Sequence, residues 1–232
     1  MPHERFFVDQ PLKPTETVRL EEGEFHHLCH VMRARIGEEV ELVNGKNQLA
    51  QATLSLIGKH HAELKVLHVI EEERKKPRVV LAQAIPRFNR LENILEKGTE
   101  LDATEFWLFP GLLSEKGEFS SNQQKRMAQI VIGAMKQCGR LDLPPIYLKP
   151  PLLSWKPLEG NVLFGDTSPN APAWSLHTAA ETTIFLVGPE KGFDLKEIVF
   201  LKQRLNAQGV RLHRNILRVD TASCVALSLL SN

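Results

Sequence analysis

The sequence predicts an α/β fold with a mainly parallel sheet, preceded by a small β-barrel. Three observations point there. Period-two strand patterns fill the first part of the chain up to Ile70. From Arg78 onward, apolar strand segments alternate with segments of helical spacing, the pattern of a parallel sheet covered by helices. Near the C-terminus two apolar segments run into turns of the kind that place ligands in α/β proteins.

Val18–Leu20, Glu39–Val43, Gln48–Ile57 and Ala62–Ile70 alternate apolar and polar residues as half-buried strands do. Asn44-Gly45 is a tight-turn signal, and a helical piece runs from about Glu22 to Arg33. Short strands joined by turns give the small barrel. The run Glu71–Pro77 is charged and ends in a proline that discourages either regular element, so the domain boundary falls there, with residues 1–73 on one side and 74–232 on the other.

Beyond it, Arg78–Ile85 reads as a buried strand. Arg90–Leu101 sets Leu91, Ile94, Leu95 and Leu101 at helical spacing. Phe106–Phe109 is a strand and Gln123–Gln137 a helix; Pro144–Pro157, rich in proline, reads as an extended surface connection. Strands Asn161–Phe164 and Thr183–Val187 follow, then helices Leu195–Ala207 and Thr221–Leu230.

The chain has 232 residues, 42% of them hydrophobic, enough to bury a core. No stretch approaches the roughly 18 consecutive apolar residues of a membrane span, and the start lacks the apolar core of a signal peptide, so a cytoplasmic protein without a membrane partner is expected. Cys29, Cys138 and Cys224 are scattered and odd in number, which predicts reduced thiols. His26-His27 with Cys29 and His30 invites a zinc reading, but no second Cys/His pair completes a ligand set, so no metal is expected. The net charge of +1 exerts no global pull on nucleic acid. Residues 1–73 carry 8 Lys and Arg against 13 Asp and Glu, so an RNA-binding surface has to be local.

The ligand-binding signal is a pair of turns. Thr183–Val187 ends in Gly188-Pro189-Glu190-Lys191-Gly192-Phe193, and Asn215–Ala222 follows some twenty residues later. Taken singly, each fits a core strand closed by an ordinary turn; together they suggest one pocket, because glycine lets backbone groups approach a ligand. Neither matches a P-loop or a dinucleotide fingerprint, which argues against a nucleoside triphosphate or NAD.

The pair resembles the C-terminal signature of the RsmE-type ribosomal RNA methyltransferases of the SPOUT superfamily, Gly-Pro-Glu-Gly-Gly-Phe followed by Leu-Gly-x-x-Ile-Leu-Arg-x-Glu-Thr-Ala. The likeness runs along nearly the whole chain. Arg5–Val8, His26–Leu28, Val31–Arg33 and Gly37-Glu38 are similar to the family's PUA-like barrel; Leu91–Leu101 is similar to the first long helix of its catalytic domain; and Gln137–Arg140 with Pro144 is similar to its Gln-Ser-x-Arg element. Lys191 stands in place of a glycine, His213 in place of the glycine of Leu-Gly, and Asp220 in place of the glutamate. A lysine is expected to be strained if position 191 requires positive φ.

The resemblance implies a SPOUT-type trefoil knot and S-adenosylmethionine as cofactor, bound by Leu186, Val187, Gly188, Pro189, Gly192, Leu212, Ile216 and Leu217. It implies methyl transfer to N3 of a uracil in 16S ribosomal RNA of the small ribosomal subunit, by a homodimer to whose sites Arg87 or Arg140 of the partner contributes. The imide proton must leave, so a base or an anion-stabilising cation is needed. Arg218 is the expected cation, although an ion pair with Asp220 or another acid is the structural alternative. Glu190 is expected to orient the substrate or accept a proton, or else to stabilise the helix that follows, and Thr221 to fix a loop or carbonyl. Arg33, Arg35, Arg87, Arg90 and Arg140, with Arg74, Lys75, Lys76 and Arg78, are the candidate RNA contacts. The competing function is a non-catalytic RNA-binding or ribosome-assembly factor, motivated by Lys191 and His213.

Overall fold

A computed structural model describes residues 4–72, 77–115, 117–174 and 181–230. Two compact units are present, one of Met1–Lys75 with Ile132–Leu143, the other of Lys76–Val131 with Pro144–Asn232. The candidate phosphate contacts Arg74, Lys75 and Lys76 lie outside the described residues.

In the first unit, β1 (Arg5–Phe7), β2 (Thr17–Glu21), α1 (Glu22–His26), a π-helical turn (His27–Val31), β3 (Glu39–Val43), β4 (Gln48–Ile57) and β5 (His61–Glu71) follow in order. The sheet order is β1-β3-β4-β5-β2, with β1 parallel to β3 and the other pairs antiparallel. β1 and β2 end that order, so the sheet is a half-barrel. Its alternating patterns turn Val18, Leu20, Leu42, Ala50, Leu54, Leu64 and Val66 onto one buried face with Phe6 and Leu28. Register shifts at Gln51/Ala52 and Leu54/Leu56 mark where β4 and β5 bend.

Two local expectations change here. The helix from Glu22 to Arg33 is split, because five residues of α-helix give way to a π turn. The Asn44-Gly45 turn is a four-residue connection: Gly45 and Asn47 both take positive φ, and Asn44 Oδ1 accepts the N–H groups of Lys46 and Gln48.

From Arg78 onward come β6 (Arg78–Ala84), α2 (Phe88–Glu100), β7 (Glu105–Phe109), α3 (Ser121–Cys138, whose residues from Ile132 belong to the first unit), β8 (Ile146–Leu148), a 3-10 turn (Leu152–Ser154), β9 (Asn161–Gly165), β10 (Thr182–Val187), α4 (Leu195–Gln203), β11 (Gln208–Val210) and α5 (Val219–Leu230). All six strands are parallel, in the order β11-β9-β10-β6-β7-β8. Burial on both faces explains why β6 and β10 read as continuous apolar runs without alternation. The chain starts at β6, builds outward to β8, then returns to build β9, β10 and β11 on the other side. α5 packs on α2, β6 and β10 at the centre. Arg211, just past β11, exchanges backbone hydrogen bonds with Pro172 and Trp174, so the chain after β9 lies against the chain after β11.

The proline-rich stretch Pro144–Pro157 is not merely a surface connection. It supplies β8, and it buries Leu152 and Trp155 against Trp107 and Phe109 in the sheet core. The helix expected to reach Ala207 stops at Gln203; Asn206 takes positive φ and the next residues become β11. Among the described residues no helix is long and apolar enough to cross a membrane.

Candidate active site

The sheet places the carboxyl ends of β9, β10 and β6 side by side, and the chain order switches there, the position at which open α/β sheets bind ligands. A cleft of about 580 Å³ lies at this edge, lined by residues 164–167 at the end of β9, 187–193 at the end of β10 and 210–219 at the end of β11, together with Arg90, Ile198 and Ala222. Its size suits a cofactor-sized molecule.

The first loop is a glycine-dependent turn. Gly192 N–H donates to the Pro189 carbonyl at 2.8 Å, and Gly192 has φ of 76°. Lys191 is not at positive φ, so the expected strain is absent and the demand for glycine falls one residue later. Gly188 is needed for a different reason: a Cβ there would stand 2.9 Å from the Gly192 carbonyl carbon and 3.0 Å from Phe193 N.

Beneath this turn sits a buried polar pair that the sequence reading did not single out. Gln83 in β6 is fully buried, and its amide nitrogen lies 2.8 Å from the Ala84 carbonyl, 3.3 Å from that of Val187 and 3.2 Å from that of Gly188. Ser223 of α5 donates its hydroxyl to Gln83 Oε1 at 2.8 Å. These bonds satisfy the strand-end carbonyls from below and fix the direction in which the turn leaves β10. A lone glutamine inside an otherwise apolar strand was the available signal.

Glu190 caps a helix, but not the one that follows it. Its Oε1 accepts the Arg87 N–H at 2.9 Å, at the N-cap of α2, whereas α4 is capped by Asp194 and Glu197. The Arg87 guanidinium is itself hydrogen-bonded to Glu115.

In the second loop, His213, Arg214, Asn215, Ile216 and Arg218 are exposed, Ile216 to 84%. The backbone N–H groups of Leu212, Ile216 and Leu217 make no hydrogen bond among the described residues. Arg218 likewise makes no ion pair among them. Asp220, its expected partner, instead accepts from Arg90 Nη1 at 2.9 Å and Asn93 Nδ2 at 3.3 Å, joining α5 to α2. Burial opposes ionisation of Asp220, but the hydrogen bonds from Arg90 and Asn93 and the Arg90 charge hold its carboxyl below the usual value.

Of the expected cofactor residues, Val187, Gly188, Pro189, Gly192, Leu212, Ile216 and Leu217 meet at the cleft. Leu186 does not: its side chain is fully buried in the sheet core, and the lining begins one residue later. Glu190 and Arg218 are in the lining and Thr221, exposed on α5, is not. Arg90 is at the cleft. Arg140 is 4% exposed and bonded to Asp142 within the first unit, which withdraws it from a surface role. Arg33 and Arg35 are exposed on the first unit. There His27 packs on Phe6 at 5.5 Å, and no group of three metal-binding side chains is found among the described residues.

Two family models match the chain, an RNA methyltransferase domain over residues 72–231 and an RNA methyltransferase PUA domain over residues 20–67. The ribosomal RNA small subunit methyltransferase E of Synechocystis is 30% identical, covering 91% of this chain and 72% of the relative. That of Bacillus subtilis is 26% identical, covering 98% and 96%. The crystal structure of ribosomal RNA small subunit methyltransferase E from Neisseria gonorrhoeae bound to S-adenosyl methionine is 28% identical, with a TM-score of 0.84 over 98% of this chain and 96% of that one. A solved structure from Legionella pneumophila, 23% identical, has a TM-score of 0.87 over 99% and 97% of the two chains and shares the fold.

Proposed function

We propose a function from one premise: the chain belongs to the RNA methyltransferase family. On that premise it is a cytoplasmic enzyme that methylates N3 of a uracil in 16S ribosomal RNA of the small subunit, using S-adenosylmethionine and acting as a homodimer. The observation that carries the reading is the meeting of two irregular loops at the carboxyl ends of adjacent parallel strands, around one cleft.

The cleft fits the cofactor by the chemistry of its donor set. Adenine needs a flat apolar slot edged by backbone donors and acceptors. Val187, Leu212, Ile216 and Leu217 offer apolar surface, and the N–H groups of the last three have no other partner among the described residues. When bound, the cofactor supplies an electrophilic methyl group on a sulfonium. Gly188, Pro189 and Gly192 keep the first loop close to the cleft, with Gln83 and Ser223 fixing its start.

The uracil imide must lose its N3 proton, leaving negative charge on the ring carbonyl oxygens. Arg218, exposed at the cleft and unpaired among the described residues, offers a permanently charged planar fork to that charge. Glu190 spends one carboxylate oxygen on the Arg87 N–H, and its second oxygen is the acceptor assigned to the substrate. Thr221, outside the lining, has no part in this assignment.

The return of the chain from the edge strand β11 to the central α5, past the hydrogen bonds at Arg211, supports the trefoil threading that the resemblance implies. The match of the PUA model to residues 20–67 supports an RNA-binding role for the half-barrel. The non-catalytic alternative draws on Lys191 and His213; that neither residue is at positive φ supports the catalytic reading.

Calorimetric titration with S-adenosylhomocysteine, followed by tritium transfer from labelled cofactor to unmethylated small subunits, tests the reading. Micromolar binding with transfer is expected, and primer extension should stop at the modified base, since an N3 methyl blocks the pairing edge. Absence of both binding and transfer overturns it. Sedimentation at micromolar concentration should show a dimer; a monomer removes the homodimer.

A further inference from the structure

We infer that Lys191, His213 and Arg214 form a phosphate-binding rim on the cleft that takes the RNA backbone beside the target base. The inference deepens the reading of the chain as an RNA methyltransferase and rests on it. All three residues are exposed, and all three line the same cleft from its two loops.

The charges of the cleft divide into committed and uncommitted groups. Both acids in the lining are engaged: Asp166 with Lys202 and the Ser168 N–H, Glu190 with the Arg87 N–H. Arg90 is held by Asp220, and Arg211 reaches the Pro169 carbonyl. Lys191, Arg214 and Arg218 remain, all cationic and without an ion pair among the described residues. His213 adds a donor, since its Nδ1 accepts the Asn215 N–H at 3.1 Å and Nε2 is left to donate.

An uncommitted set of cations and one donor calls for an anionic ligand with several acceptor oxygens. The cofactor is a poor match, because its sulfonium and ammonium outweigh its carboxylate and a cationic rim repels it. A nucleic acid strand presents phosphate after phosphate, and such contacts set its position while leaving base choice to the cleft. Neither Lys191 nor His213 is at positive φ, so the backbone there accepts a side chain, and Lys191 adds a cation to the rim while His213 adds a donor.

The test measures binding of a short single-stranded RNA to the full chain across a salt series at mildly alkaline pH, beside calorimetry with S-adenosylhomocysteine. For Lys191→Gly combined with Arg214→Ala, RNA affinity should fall about tenfold at low salt, with the slope of log K against log salt reduced by about 1.4, or about 0.7 per phosphate contact. His213→Ala should weaken RNA binding severalfold with the slope unchanged. S-adenosylhomocysteine affinity should stay within a factor of about two in each, and thermal melting checks that the variants fold. RNA affinity and slope equal to wild type in the double variant overturn the inference while leaving the enzyme reading intact. Loss of S-adenosylhomocysteine affinity with RNA binding preserved overturns it too, by assigning these cations to the cofactor. A wild-type chain that binds no RNA and transfers no methyl removes both.

Discussion

Arg218 and Arg90 are two guanidiniums on one cleft with opposite circumstances: Asp220 holds the second, and no carboxylate among the described residues holds the first. Proximity in sequence made Asp220 look like the partner of Arg218. Residues two apart at a helix start point in different directions, however, and the pair that forms spans 130 residues. Arg218→Ala should therefore lower the rate of methyl transfer by about 10²–10³ at saturating cofactor, the scale for loss of a donor to developing negative charge, with S-adenosylhomocysteine affinity retained. Arg218→Lys should recover only part, because an ammonium lacks the planar fork. Arg90→Ala acts on the fold instead. It strands a buried carboxylate and should cost about 2–3 kcal/mol, read from the urea midpoint, while Asp220→Asn in the same background should recover part of it.

At the level of elements, turns and caps decide what the strands present. Gly188→Ala drives a Cβ into the backbone of Gly192 and Phe193, which cannot yield as a side chain end would. Calorimetry should show S-adenosylhomocysteine affinity falling at least tenfold with α/β circular dichroism retained. α4 is fixed at both ends of one carboxylate: Glu197, 1% exposed, accepts Asp194 N–H and Leu112 N–H at 3.0 Å each, while Asp194 caps Lys196 N–H. Glu197→Ala leaves two donors short and should cost about 2–3 kcal/mol, against about 1 kcal/mol for Asp194→Ala, as measured by denaturant unfolding. The amphipathic face of α2 was readable in the sequence because it is a local pattern. β8 and β11 were not, since three-residue strands carry no period to detect, and the prolines around Ile146–Leu148 looked like a connection.

On the scale of the whole chain, local patterns named the α/β class and most elements but could not say which strands are neighbours. That order brings Gln83 of β6 under the turn after β10, and Asp220 of α5 onto α2, so these supports were hidden although the glycine turns above them were visible. The same long-range assembly sets how the fold responds to acid. Three carboxyls of the second unit are held below their usual values. Burial opposes the charge in each case. It is outweighed at Glu105 by bonds from Arg78 and Trp107, at Asp166 by Ser168 and Lys202, and at Asp220 by Arg90 and Asn93. A carboxyl with a depressed folded pKa adds stability that is fully present above its unfolded value, near 4, and is lost as pH falls through the folded value. Urea midpoints should thus stay level from about pH 7 to about pH 5 and drop below about pH 4. The drop should be shallower in Asp220→Asn, which has one fewer proton to take up on unfolding. A midpoint that already declines between about pH 7 and pH 5 would show that these three acids do not govern the response to acid.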